Sequence, residues 1–193
     1  MLKNPSAFFA ASRSAELFGS TMFQGQVDGC NTILGACSAA HWPLAWTAYG
    51  LATAFHETAH SMAPRAEIGK GAGKPYGAVD KTGEAPYGRG YVQLTWRQNY
   101  VRADDLLGLG GRLAADYDVA LQPEIAAQIL VRGMAEGWFT GKSLKQLVPT
   151  DRPGDFEDFR SARRIINVLD RADMIAGYAL AFQVALNGGG WTV

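Results

Sequence analysis

Glu57 is the residue around which chemistry could be organised. It ends an apolar stretch that contains Leu44, Trp46, Tyr49, Leu51, Ala52 and Phe55, and Glu67 follows ten residues later. Two carboxyl groups are what hydrolysis of a glycosidic bond requires. One acid protonates the leaving oxygen, and one carboxylate activates water or stabilises the developing cation. An apolar helix with aromatic neighbours would desolvate the Glu57 carboxyl, which suits the proton donor. Glu67 comes just after Pro64 and Arg65, where an extended segment could carry it across a groove, and its more polar flanks suit the carboxylate that handles water. Glu84 is the second candidate for that role.

The same glutamate also belongs to the pattern His56-Glu57-x-x-His60. On a helix, two histidines one turn apart can hold zinc while the glutamate activates water, which makes a zinc metalloprotease an alternative reading. A catalytic zinc needs a third protein ligand. The remaining histidine, His41, lies upstream, and Glu84 sits in a glycine-rich stretch rather than on a following helix. No metal or other cofactor is therefore expected.

A longer landmark follows. The run from Tyr87 to Trp96 reads Y-G-R-G-Y-V-Q-L-T-W, and Asn99 and Tyr100 come shortly after it. Together with His56-Glu57-Thr58 it resembles the signature of glycoside hydrolase family 19, which includes plant chitinases and many phage and bacterial endolysins. The resemblance extends through Gln122–Ile125, Met134–Phe139 and Arg164–Asn167, covering roughly residues 44–186. It implies a mainly α, lysozyme-like helical domain, with a glycine-rich loop or small β excursion between the catalytic helix and the rest. It also implies an inverting mechanism in which Glu57 is the acid, Glu67 the base and Thr95 the hydroxyl that holds the attacking water. By position, His56, Tyr91, Gln93, Asn99, Tyr100 and Asn167 are expected to line or brace the sugar groove. Arg89 would organise the carboxylates. The chain departs from the pattern at Val168 and Leu169, where the family has two glycines. The family's arginine in the last helix has no counterpart near Gly177 and Tyr178, although Arg171 could substitute. Trp96, Trp138 and Tyr178 read as core, His60 as a helix-end packing residue, and Arg163, Arg164 and Arg171 equally well as solvated charges.

The elements that must position these groups are mostly helical. Helices are expected over about Pro5–Phe18, Gln24–Ala39 and Pro43–Ser61, after Thr95, over Gln122–Phe139 and from Phe156 to Leu186. Residues 69–90 break the pattern with seven glycines and two prolines, a place for loops or short strands. The glycines after Asn187 suggest a frayed tail over 187–193. The 193 residues read as a single catalytic domain with a helical N-terminal part of about 1–42. At 48% hydrophobic residues, a core is within reach without staples. Cys30 and Cys37, seven apart on a helix, would stand roughly 10 Å apart, too far for a disulfide.

Eighteen basic residues balance eighteen acidic ones, which argues against a nucleic-acid binder. No secretory signal or spanning segment is legible, so a protein made in the cytoplasm, without stable membrane association and acting on the wall after holin-type release, is expected. A short loop between the carboxylates and no disulfide favour the endolysin branch and peptidoglycan over chitin. A monomer is expected.

Overall fold

The computed structural model describes residues 1–19 and 21–192. Helix α1 (Pro5–Ser14) starts with proline at its first position and the Asn4 side chain accepting from the Ala7 amide. It stops at Ser14, short of the expected Phe18. Helix α2 (Gln24–Ala39) matches expectation and carries both cysteines as free, buried thiols. Helix α3 (Leu44–Glu57) is buried on every side from Ala45 to Phe55.

The third helix ends a turn earlier than its pattern suggests, and the reason is local. The Thr58 hydroxyl donates to the Ala54 carbonyl at 2.7 Å and accepts from the Met62 amide at 3.0 Å. Ala59, His60 and Met62 then all adopt positive φ, which winds the chain out of the helix. The Met62 carbonyl tucks against α2 so closely that a Cβ on Gly29 would stand 1.8 Å from its oxygen. Only glycine fits there.

A two-stranded antiparallel ribbon follows, β1 (Arg65–Ala66) against β2 (Arg89–Gly90), with Arg65 opposite Gly90 and Ala66 opposite Arg89. The glycine-rich segment between the strands makes one 3-10 turn at Pro75–Gly77. Helices α4 (Arg97–Leu107), α5 (Arg112–Ala115), α6 (Pro123–Glu136), α7 (Leu144–Leu147), α8 (Phe156–Ala162) and α9 (Ala172–Gly188) complete the fold, with further 3-10 turns at Tyr117–Leu121 and Arg163–Ile165. The architecture is mainly α with one small β excursion. Helix α9 packs along α3, α1 and α8, while α2 packs on α6. No helix among the described residues is long and apolar enough to cross a membrane.

Two expectations for the C-terminal third need correction. The helix expected over Phe156–Leu186 is two helices, because the backbone turns at Arg163–Ile165 and Arg171 takes left-handed dihedrals. The tail is docked as far as it is described, to Thr192; the last residue of the expected 187–193 tail lies outside the described residues. Trp191 bridges to Leu2 and is 8% exposed, its indole N–H donates to the Trp42 carbonyl, and the Asn4 amide donates to the Gly189 carbonyl. Burying an indole outweighs the chain entropy that three glycines add.

Candidate active site

Glu57 projects from the last residue of α3 into a cleft of about 420 Å³. The segment between β2 and α4 supplies one wall with Gln93, Thr95 and Trp96, joined by Asn99 from the first turn of α4, and Arg163 and Asn167 stand in the other. Tyr76 and Phe139 add aromatic surface. Apart from the Glu57–Arg163 pair, the polar lining is amide and hydroxyl, the set that hydrogen-bonds neutral hydroxyl and acetamido groups.

Glu57 does not sit in an apolar pocket, contrary to expectation. Its Oε1 accepts from Arg163 Nη1 at 2.7 Å; the arginine is 3% exposed and the glutamate 15%. The Arg163 Nε donates to the Asp170 carbonyl at 2.9 Å, so one side chain ties α3 to the loop before α9. Arg163, whose sequence context is equally compatible with a solvated charge, is instead the buried partner of Glu57. Its place among Phe159, Ala162, Ile165 and Ile166 was the available signal: a buried arginine must be paired. Arg164 and Arg171 are exposed, as solvated charges would be.

Glu67 lies one step beyond β1, so the ladder continues through it: its amide donates to the Gly88 carbonyl at 2.7 Å and its Oε2 accepts from the Gly88 amide at 3.1 Å. The Tyr76 hydroxyl donates to Oε1 at 3.1 Å. Glu67 is thus not in the cleft lining itself; Tyr76 stands between. Burial and the neighbouring carboxylate push the Tyr76 phenol up, which keeps it a proton donor. Glu84, the other candidate, pairs with Arg89 at 3.6 Å and does not reach the cleft.

Thr95 stands in a strained stretch. Gln93 and Trp96, on either side of it, have φ of 51° and 72°, and a non-glycine residue held there costs about 1–3 kcal/mol. The Arg89–Leu94 bridge, the Trp96 amide on the Pro86 carbonyl and Gln93 Nε2 on the Arg65 carbonyl hold it in place. The Thr95 hydroxyl donates to the Gln93 carbonyl at 2.7 Å, which leaves only its lone pairs for anything in the cleft. Asn99 Nδ2 donates to the Thr95 carbonyl and braces the same loop.

Several position-based expectations change. Arg89 is 2% exposed and does not touch Glu57. It pairs with Asp118 at 2.6 Å and Glu84, donates to the Ala85 and Tyr87 carbonyls and lies 3.7 Å over the Tyr87 ring. It organises the glycine-rich loop instead of the carboxylates. Tyr100 is fully buried and donates to the Tyr87 carbonyl at 2.6 Å, bracing that loop. Tyr91 is 1% exposed with no partner for its hydroxyl among the described residues, so it belongs to the core rather than to a sugar site. Trp96 errs in the other direction: read as core, it is 41% exposed beside the cleft and meets Tyr76 edge-on. Trp138 is core.

The zinc geometry is absent from the histidine pair. Because α3 ends at Glu57, His60 is not one helical turn from His56; its ring stacks on Phe55 at 4.0 Å and faces Tyr178. Burial pushes both imidazoles down from their ordinary value; at His56 the nearby Glu57 carboxylate opposes that shift.

No family model and no curated protein sequence matches the chain. Among solved structures it is similar to the crystal structure of a chitinase C carrying a Glu-to-Gln substitution, with a TM-score of 0.55 and 20% identity over 98% of this chain and 93% of that one. At that identity the likeness is one of fold.

Proposed function

We propose that the protein is a glycoside hydrolase that cuts the glycan strands of bacterial peptidoglycan by an inverting acid/base mechanism. The observation that carries this reading is Glu57, held by a buried arginine in a cleft otherwise lined by amides, hydroxyls and aromatic rings. Arg163 occupies Oε1, so Oε2 is the oxygen free to carry a proton to the leaving group. The Thr95 hydroxyl, its hydrogen committed to Gln93, accepts from a water and fixes one of its O–H bonds. The other O–H is then available to the base, and a lone pair faces the anomeric carbon. Glu67 is that base, and Tyr76 yields its hydrogen bond on Oε1 when substrate and water arrive. Gln93, Asn99 and Asn167 take the sugar's polar groups, and Trp96 offers a ring face.

The likeness to a chitinase C favours a second reading, cleavage of N-acetylglucosamine polymers by the same groups. The two differ only in the substituents the cleft must accept. Product analysis on purified peptidoglycan beside chitin oligomers separates them. The first reading expects new reducing ends on muramic acid, and it fails if only chitin oligomers are cut. Glu57→Gln, which cannot donate the proton, should stay folded and lose about 10²-fold or more of the activity. A folded Glu57→Gln within a few-fold of the parent would remove the assigned acid.

A further inference from the structure

Both carboxylate oxygens of Glu67 are engaged. Oε2 accepts from the Gly88 amide and Oε1 from the Tyr76 hydroxyl, each at 3.1 Å. The Gly88 contact is fixed by the ribbon: the Glu67 amide donates back to the Gly88 carbonyl at 2.7 Å, one step beyond the pairing of Ala66 with Arg89.

Tyr76 is held in another way. The chain around it is pinned, because segment 71–77 closes so tightly that a Cβ on Gly77 would stand 1.9 Å from the Gly71 carbonyl oxygen. The half-buried Tyr76 side chain lines the cleft and makes two contacts from there. Its hydroxyl meets Glu67, and its ring meets Trp96 edge-on with centroids 5.5 Å apart. Trp96 is itself anchored by its amide on the Pro86 carbonyl at 2.9 Å. The Tyr76 side chain is therefore the part that can turn, and one change of rotamer breaks both contacts together.

We propose that Tyr76 is a positioning residue that latches Glu67: a sugar ring stacking on Trp96 displaces the tyrosine, and the same movement opens Glu67 to the cleft. The inference rests on the reading above in which Glu67 is the base, and it holds for either polymer. The latched protein must open before a glycan seats on Trp96, so the resting contact lowers the apparent affinity by the fraction of molecules that are open. Glu67 then faces water in the cleft only when a glycan is in place.

Binding of an N-acetylglucosamine tetramer and of a peptidoglycan tetrasaccharide in a Glu57→Gln background, where nothing is cut, tests it. Tyr76→Phe keeps the ring and removes the hydroxyl, so it should tighten binding of the preferred glycan by about fivefold or more. Glu67→Ala removes the acceptor and should tighten binding by the same factor, and the double variant should add less than about twofold. With Glu57 restored, Tyr76→Phe should raise kcat/KM through KM rather than kcat, because the latch is already open in the complex. Trp96 is the exposed one of the five tryptophans, so iodide should quench the emission of free Tyr76→Phe more than that of the parent. Unchanged or weaker binding in Tyr76→Phe, or independent effects of the two substitutions, overturns the proposal. So does a loss of kcat by about tenfold or more at constant KM, since Tyr76 would then act on the proton itself. The two ideas fail separately. If Glu67→Gln is fully active while Tyr76→Phe tightens binding, the base reading falls and the latch stands. If Glu67→Gln is inactive while Tyr76→Phe binds as the parent does, the latch falls and the base reading stands.

Discussion

Arg163→Met tests the ion pair on which the site is built. The substitution keeps most of the volume and removes the charge from a position that is 3% exposed. Breaking a buried pair by deleting one partner costs about 3–5 kcal/mol, because the remaining charge is left uncompensated. Here Glu57 keeps 15% exposure and faces an open cleft, where water can replace part of what the arginine supplied, so about 2–3 kcal/mol is the expected loss. Part of that belongs to the Asp170 carbonyl, which loses its Nε donor and with it the tether of the loop before α9. Urea unfolding of the parent, Arg163→Met, Glu57→Gln and the double variant gives the coupling directly, and it should be about 1–3 kcal/mol. Turnover should fall by about 10² or more in Arg163→Met, since a carboxylate displaced by an ångström no longer meets the leaving oxygen. Arg163→Lys should recover stability better than activity, because a single ammonium can face the carboxylate but cannot also hold Asp170 in the same geometry. Additive single effects, within about 0.5 kcal/mol, together with normal turnover in Arg163→Met would refute the positioning role.

The other predictions concern the water side, the loop and the metal. Glu67→Gln should lower turnover by about 10² or more with little change in binding of glycan fragments, Glu84→Gln should be mild, and Thr95→Val should resemble a weaker Glu67→Gln. The reverse order for Glu67 and Glu84 moves the base into the glycine-rich loop. At Asp80 burial acts to raise the carboxyl pKa, but the Tyr117 and Thr82 hydroxyls, the Thr82 amide and Arg97 outweigh it and hold the value below the ordinary range. A folded value below the unfolded one means stability that is full above the unfolded pKa of about 3.9 and is lost as pH falls through the folded value. Asp80→Asn should therefore flatten the acid limb of a stability–pH curve, and an unchanged limb would show that Asp80 does not anchor the loop. Activity should survive EDTA or phenanthroline, since His60 is turned away onto Phe55; inhibition relieved by added zinc would restore the protease reading.

Legibility in the sequence followed the range of the forces involved. Helix α2 was readable to the residue because its period and its ends are local properties. The mainly α class with a glycine-rich excursion was readable for the same reason. So was the prominence of Glu57 and of the Tyr87–Trp96 segment, whose residue types stand out at short spacing. What lay beyond that range depended on contacts between distant segments. The turn that Thr58 starts at the end of α3 is held in place by the Met62 carbonyl lying against Gly29, thirty-three residues before Met62. The C-terminal glycines dock because Trp191 finds the Trp42 carbonyl, 149 residues away. Buried and exposed aromatics exchanged roles between Tyr91 and Trp96, since either side chain is compatible with both environments until the walls of the cleft are in place. The partner of Glu57 was the largest such decision. Arg89 sits in the motif and was the local choice; Arg163, 106 residues from Glu57, is the one the fold delivers. An unpaired guanidinium cannot be left inside the protein, so the chain closes on whichever carboxylate the packing of α3 against α8 and α9 brings within reach.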